Sequence, residues 1–343
     1  MRPEQALASG HWVKLICGAS NQDLAGIEDL CGIYTLAGVH CIDVAADPAV
    51  VAAARRGISW GLAQPGEANP APPWLMVSLS DGDDPHFRKA WFDPLHCPAT
   101  CPRPCQRVCP ALAIASQGGV LAESCYGCGR CLPVCPHGLI EERGQVLSAA
   151  QVAPLLARLK PDAVELHTQP GRGQAFARRL EQVLASGLPF QRLAVSCGWA
   201  VGRDPAHSTS QELWQRFSLL RQHHLRPIWQ LDGRPMSGDI GAGTAHAALW
   251  LLSALRPLAP PGPLQLAGGT NGQTLPLLRR LAGSAVAARA LAGGVAFGGM
   301  ARSLLQPLML QAEQRGRRLL EDGSLWPLAL ERAQQLVVPW LAP

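Results

Sequence analysis

Short apolar runs alternate along the chain with stretches in which apolar residues return every three or four positions. The runs read as strands: Trp12–Cys17, Cys41–Ala45, Trp74–Leu79, Ala163–Thr168, Arg192–Cys197, Pro227–Leu231, Pro263–Ala267 and Gly294–Phe297. Between them lie helical patterns. Residues 22–37 carry Leu24, Ile27, Cys31 and Tyr34 on one face, and residues 211–224 carry Leu213, Phe217, Leu220 and His224. Thr209-x-x-Glu212 reads as a capping box opening the second of these helices, and Gly187 and Gly283 as helix stops. Residues 281–301 read as a helix end followed by a buried strand. Arg289 and the small Ala and Gly residues argue against a transmembrane segment there.

Eight strand–helix units predict an α/β fold, a (β/α)8 TIM-like barrel. An open doubly wound sheet is the alternative. One gap breaks the rhythm, after the third strand. Setting aside residues 81–150 leaves 273 of the 343 residues, close to the roughly 250 of a typical barrel. The expected organisation is therefore a first part of the barrel over 1–80 (strands 1–3), a ferredoxin-like two-cluster insert over 81–150, and a second part over 151–343 with strands 4–8 and the C-terminal helices. An insert in the third βα loop hangs on the C-terminal face, where barrel enzymes keep their active sites.

Eight of the twelve cysteines lie within that insert, between Cys97 and Cys135. The run Cys125-x2-Cys128-x2-Cys131-x3-Cys135-Pro136 has the bacterial ferredoxin spacing. In such a run three close cysteines grip one [4Fe–4S] cube and the fourth serves the other cluster. The preceding run is looser, Cys97-x3-Cys101-x3-Cys105-x3-Cys109-Pro110, and its x3 spacing departs from the ferredoxin rule. Crosswise pairing predicts one cluster on Cys97, Cys101, Cys105 and Cys135, and another on Cys125, Cys128, Cys131 and Cys109. Zinc is a poorer reading, because zinc sites pair two CxxC knuckles or recruit histidines. Disulfides suit secreted domains. The opening MRPEQALASGHW has no apolar leader core, so a cytoplasmic location and a reducing environment are expected.

Composition changes this picture little. Apolar residues make up 48% and charged residues 16%, so a large core is easily buried. The formal charge of +5 falls to about +1 once two clusters of about −2 each are counted. That balance gives no argument for nucleic acid, and no basic run with interleaved aromatics supplies one. The ten tryptophans are expected in the core and at the domain interface, with Trp74 and Trp91 packing the insert onto the barrel.

Further chemistry is expected at the barrel mouth. Two glycine-rich segments follow the last two strands, Gly268-Gly269-Thr270-Asn271-Gly272 and Gly298-Gly299-Met300-Ala301-Arg302. Loops in those positions bind phosphate in many barrels, including flavin- and sugar-phosphate-binding ones. FMN or another phosphorylated ligand would sit on Gly268, Gly269, Thr270, Asn271, Gly298 and Gly299. The alternative is that βα loops need glycine in any case. Lys14, Asp43, Glu165, His167, Gln230 and Asp232 are polar residues within or just beyond apolar strands. Pointing inward they would line a polar cavity, in which Lys14 or His167 could donate protons alongside Asp43, Glu165 and Asp232. A satisfied structural network, such as Lys14 paired with Asp43, is the other reading. Cys31 is expected in the core and Cys41 toward the stability face. Cys17 and Cys197 read as small buried hydrophobes or as redox thiols.

The stretch KLICGASNQDLAGIEDLCGIYTLAGVHCIDVAADPAVVAAARRGI, the block CYGCGRCLPVCPHGLI and the tail segments QLAGGTNGQT and GVAFGGMARSLL together resemble the cyanobacterial light-dependent period A (LdpA) family over nearly the whole chain. The resemblance implies an iron–sulfur redox sensor in the light input to the circadian clock, acting through association with clock-input proteins. It implies the eight cysteines above as cluster ligands and transfers no catalytic residue. A redox partner, ferredoxin or the quinone pool, follows as an expectation. The competing reading is a ferredoxin-dependent oxidoreductase, passing electrons through the clusters to a flavin or phosphorylated substrate in the mouth. A plain electron carrier would leave the barrel without a role.

Overall fold

The computed structural model describes residues 1–19, 22–64, 71–234 and 240–341. Eight strands form the barrel: β1 (Trp12–Ile16), β2 (Cys41–Ala45), β3 (Trp74–Ser80), β6 (Ala163–His167), β7 (Arg192–Cys197), β8 (Pro227–Asp232), β9 (Leu264–Ala267) and β10 (Gly294–Phe297). Each pairs in parallel with its neighbours, and the order β1-β10-β9-β8-β7-β6-β3-β2 closes on itself. Closure excludes the open doubly wound sheet.

Helices α1 (Pro3–Ala8), α2 (Leu24–Leu36), α3 (Pro48–Ala63), α4 (Pro104–Val108), α5 (Ala149–Leu159), α6 (Gly173–Leu184) and α7 (Pro205–Gln222) are followed by α8 (Ala245–Leu255), α9 (Thr274–Ala282), α10 (Ala285–Leu291), α11 (Gly299–Gln314) and α12 (Trp326–Leu341). All but α1 and α4 belong to the outer ring. Side chains alternate across each strand. One parity faces the helices: Val13, Leu15, Ile42, Val44, Val77, Val164, Leu166, Leu193, Val195 and Leu231 join a single core with helical residues such as Ile27, Leu156 and Leu252. The other parity fills the barrel in layers. At its N-terminal end lie Trp12, Cys41, Met76, Ala163, Ala194 and Ile228, closed below by Leu7 of α1. Cys41 therefore sits on the stability face, and Cys31 is fully buried in the outer core.

Four local expectations are corrected. Helix α7 starts at Pro205 with Asp204 as its cap, whose carboxylate accepts from the His207 N–H. Thr209 lies one turn inside, donating to the Pro205 carbonyl and accepting from the Ala200 N–H. The helix ends at Gln222, leaving exposed His224 in a left-handed turn (φ +56°). Residues 285–291 form a separate helix, α10, capped by Ser284. The tryptophans are not all interior: Trp199, Trp214 and Trp250 are exposed.

The segment between β3 and α5 holds a two-stranded antiparallel sheet, β4 (Arg88–Trp91) with β5 (Glu141–Gly144), and helix α4. It has its own small core of Ala90, Phe92, Cys105, Ile114, Cys131 and Ile140. Trp91 and Trp74 do not join it to the barrel. Trp91 is held under the Arg143 guanidinium within the small sheet, and Trp74 packs edge-on against Trp12 at the opposite end. Tyr126 of this segment is buried in the barrel's outer core, with Ala111, Cys128 and Leu147 packed against that core beside it. Its hydroxyl donates to Asp23 (3.2 Å), which also takes an ion pair from Arg130 (2.7 Å). Among the described residues no helix is long and apolar enough to cross a membrane.

Candidate functional site

The eight cysteines fall into two groups of four. Around the Cys105 thiol the charge-bearing neighbours are Cys135, Cys101 and Cys97; around Cys131 they are Cys125, Cys128 and Cys109. Burial raises the Cys131 thiol to about 12, and the neighbouring thiols add to that. None of the eight is in a disulfide. Gly127 and Gly129 turn the backbone through positive φ (+82° and +76°) between the cysteines of the second group, which a residue with a Cβ adopts only under strain. The turns wrap the chain round a small cavity lined by Cys109, Cys125, Cys128 and Cys131. Backbone N–H groups already point at sulfur: Ala113 donates to Cys109 (3.2 Å) and Leu139 to Cys135 (3.4 Å). At Cys135 burial opposes ionisation, but N–H groups of Leu139, His137, Ile140 and Gly138 outweigh it and lower the thiol's pKa. Convergent soft donors with N–H groups aimed at them fit a thiolate-ligated iron–sulfur cluster.

Above the apolar layer the barrel interior turns polar. Lys14 is fully buried and donates to Asp43 (2.7 Å) and Glu165 (2.6 Å). Ser78 donates to Asp43; Gln230 donates to Glu165 (2.8 Å) and Asp232 (3.3 Å). Gln265 donates to Gln230, and Trp12 Nε1 to Gln265. Two carboxylates thus face one ammonium. Burial opposes the charge on Lys14, but Asp43 and Glu165 hold it protonated well above its usual range. Burial also opposes ionisation of Glu165, yet Lys14 and His167 keep it ionised. Asp43, raised by burial and by Glu165 against the pull of Lys14, reaches about 7.

A cavity of about 360 Å³ opens over this layer, within the range of small-molecule sites. Of the five proton-handling residues expected from sequence, Asp43, Glu165, His167 and Asp232 line it. Lys14 lies beneath its floor, with its ammonium turned to the two carboxylates, so it holds the network together and does not face the cavity. Burial raises Asp232 to about 7, with Glu165 adding to this and His167 opposing. Burial would lower His167, but Asp84, Glu165 and Asp232 together raise it to about 9. Asp84 is held well below the usual carboxylate range by its hydrogen bonds to His167 and His86, despite burial.

Gly268, Gly269, Thr270, Gly298 and Gly299 also line the cavity. Asn271 does not: its side-chain amide is turned to the Gly241 carbonyl and the Thr244 hydroxyl. Gly268 and Gly269 have a packing reason to be glycine. Both have positive φ, and a Cβ would lie 2.9 Å from the backbone of Gly233 and Arg234, or 3.0 Å from the Thr244 carbonyl. Gly298 and Gly299 open α11, and Arg302 on its first turn reaches the cavity with a buried Nε that has no hydrogen-bond partner. An anion fits that corner. Cys197 faces the outer core, and burial raises its thiol to about 12. Cys17 edges the cavity, with its sulfur 3.6 Å from that of Cys31. Asp84, His86 and Phe87 were missed in the sequence. The only signal is an Asp-x-His pair just beyond β3, in a segment dominated by its cysteines.

Solved barrels resemble the chain only weakly. A structure titled TcOYE with pHBA aligns over 91% of each chain at 12% identity and a TM-score of 0.42. A truncated 3-deoxy-D-arabino-heptulosonate 7-phosphate synthase from Thermotoga maritima aligns over 90% of this chain and 88% of its own, at 11% and 0.41. Likeness at that level bears no functional argument, and the barrel stands on its own strand order. The sequence matches are far stronger. Residues 97–146 match the LdpA Fe-S cluster-binding domain, and residues 155–339 match the light dependent period A C-terminal domain. The protein "Light dependent period A" of Synechococcus elongatus is 47% identical over 339 residues, covering 98% of this chain and 93% of that protein. With its cysteine-rich segment, its barrel and nearly its whole length accounted for by these matches, the chain belongs to the light-dependent period A family of iron–sulfur proteins.

Proposed function

We propose that the protein is a redox sensor carrying two [4Fe–4S] clusters, one on Cys97, Cys101, Cys105 and Cys135 and the other on Cys125, Cys128, Cys131 and Cys109. The observation that carries this reading is the separation of eight unpaired thiols into two groups of four. The reading includes a division into 1–80, 81–150 and 151–343, with the cluster unit held to the barrel in part through Tyr126. The second group lies on the barrel side, since Cys128 packs against the barrel's outer core. Cys97, Cys105 and Cys135 of the first group pack in the insert's own core, and we take that group as the entry point for electrons from ferredoxin or the quinone pool, in a protein placed in the cytoplasm. The family name supports a role in light-dependent control of circadian period, exerted through clock-input partners. Reduction then has to change affinity for such a partner, because a redox state shifts an equilibrium only through differential free energy. The test is anaerobic reconstitution with EPR. About eight iron and eight sulfide per chain are expected, with Cys128→Ser removing one cluster signal and Cys101→Ser the other. A single four-iron signal, or equal partner affinity in both redox states, defeats the proposal.

One observation favours a second reading, an oxidoreductase. The cavity combines Asp232, which titrates near neutrality, with the unpartnered Nε of Arg302 at the start of α11. That pairing suits an anionic substrate or FMN: Arg302 would hold the anion, Asp232 would supply a proton, and the clusters would supply the electrons if the site is loaded. Anaerobic purification followed by absorbance and mass spectrometry tests it. A stoichiometric flavin or phosphorylated compound is expected, and loss of that compound in Arg302→Ala places it. Ligand-free protein that takes up no added FMN rules the flavin out.

A further inference from the structure

We infer that the barrel mouth contains a separate binding site for a divalent first-row transition ion, formed by Asp84, His86 and His167. The site is distinct from the eight cysteines and does not depend on how they bind iron. Three ligand atoms, one from each residue, lie within 4.8 Å of one another. His86 Nδ1 is 2.7 Å from one Asp84 oxygen, and His167 Nδ1 is 2.8 Å from the other. The two imidazoles meet edge to face with centroids 4.7 Å apart. Ligands of a first-row ion stand about 2.0–2.2 Å from the metal, so a small inward closure of these side chains completes a cradle.

Their placement supports the same reading. His167 ends β6, on a rigid barrel strand, while Asp84 and His86 come from the segment that follows β3. Two neighbouring strands thus deliver the donors to one point. Asp84 is fixed further by the His86 backbone N–H (2.8 Å). Behind His167, its Nε2 looks toward Glu165 Oε1 at 3.9 Å. Metal-ligating histidines commonly hydrogen-bond a carboxylate through their second nitrogen; at 3.9 Å the Glu165 carboxylate stands beyond hydrogen-bond distance, one small shift from that role. Here Glu165 is itself held by Lys14 and Gln230, so the support extends into the barrel layer below.

The donor set decides the ion class. Two imidazoles and one carboxylate suit Zn²⁺ or Fe²⁺, whereas Mg²⁺ and Ca²⁺ prefer all-oxygen shells. Three protein ligands leave coordination positions open. His86 and His167 both line the 360 Å³ cavity, so those positions face it and would take an oxygen donor from a small ligand, a carboxylate or hydroxyl.

The test is equilibrium dialysis of the reconstituted holoprotein against micromolar Zn²⁺, with zinc, iron and sulfide measured on the same sample. Uptake of one zinc per chain is expected, with iron and sulfide unchanged. His86→Ala, His167→Ala and Asp84→Asn should each weaken zinc affinity by at least about ten-fold while keeping their iron and sulfide. His207→Ala, on the exposed surface beside Asp204, should leave uptake as in wild type. Wild-type holoprotein that takes up no zinc, zinc that enters only by displacing iron, or undiminished affinity in the His86→Ala/His167→Ala double variant would each overturn the inference.

Discussion

At the scale of single residues, the buried ionisable groups carry most of what is testable. Lys14 stands against two carboxylates, with Glu165 ionised and Asp43 protonated more readily. Breaking a buried pair by removing one partner costs about 3–5 kcal/mol, so Lys14→Met should lower the thermal midpoint by many degrees. The charge assignment adds a sharper expectation. Lys14→Met/Glu165→Gln leaves a neutral Asp43 and should recover more stability than Lys14→Met/Asp43→Asn, in which Glu165 keeps its charge without the ammonium. The reverse order would show that the proton rests on Glu165. His40 gives a pH dependence. Burial, then the charges of the N-terminal amine and His11, lower it to about 4 from 6.5. The Val13 N–H donates to its Nδ1 (3.2 Å), which needs that nitrogen unprotonated. The folded state therefore resists protonation while the unfolded state accepts it. Stability from this group is complete above pH 6.5 and declines as pH falls toward 4, by at most about 3 kcal/mol. Thermal melts at pH 8 and pH 5 should show a larger drop for wild type than for His40→Gln, whose amide oxygen keeps the Val13 bond; equal drops would remove His40 from the account. The polarity of Lys14, Asp43 and Glu165 within apolar strands was visible in the sequence. Their mutual pairing was not, because it depends on the register of strands far apart in the chain.

At the scale of elements, strands were the most legible feature and helix ends the least. A continuous apolar run buried on both faces has few alternatives to a strand once it is short and bounded by turns. Helix starts are settled by competing local hydrogen bonds, and at α7 the Asp204–Pro205 start prevailed over the Thr209 box. Helix–helix approach was also hidden. Helices α2 and α3 pack so closely that a Cβ at Gly57 would lie 2.3 Å from the Glu28 carbonyl, and one at Gly61 2.6 Å from that of Gly32. Replacing a mid-helix glycine by alanine gains roughly 0.5–1 kcal/mol from helix preference alone. Overpacking a tight contact against backbone costs about 1–3 kcal/mol. The second figure wins here, so Gly57→Ala should destabilise by about 1–2 kcal/mol. Gly173, at the start of α6, has nothing within 4 Å of its virtual Cβ. Gly173→Ala should be neutral or gain a few tenths of a kcal/mol. Denaturant midpoints measured side by side check the contrast, and a stabilised Gly57→Ala would show that the two helices can separate freely.

At the scale of the whole molecule, the question is what fixes the cysteine-rich unit on the barrel. Its position after β3 was readable from the interrupted strand rhythm, and its contact residue was not, because Tyr126 sits inside the cysteine motif and looks like part of it. Two contributions compete. Asp23 takes a hydrogen bond from the Tyr126 hydroxyl and an ion pair from Arg130, but both charged side chains are substantially exposed, at 34% and 47%. Exposed pairs are worth no more than about 1 kcal/mol. Tyr126 is only 8% exposed and belongs to the barrel's outer core, where truncating a buried aromatic costs about 3–5 kcal/mol. Of these two the ring carries more of the docking, with the polar contacts setting its orientation. Hydrogen exchange of the holoprotein should rise across residues 88–144 in Tyr126→Ala, with β1 and β10 still protected. Tyr126→Phe and Asp23→Ala should produce only small increases there, each with iron content retained. If Asp23→Ala loosens the segment as much as Tyr126→Ala does, the polar contacts carry the docking. Because Tyr126 lies between Cys125 and Cys128, a change of shape at those two cysteines would bear directly on a ring embedded in the barrel. That ring and Cys128 itself are the points at which the second cysteine group meets the barrel's outer core.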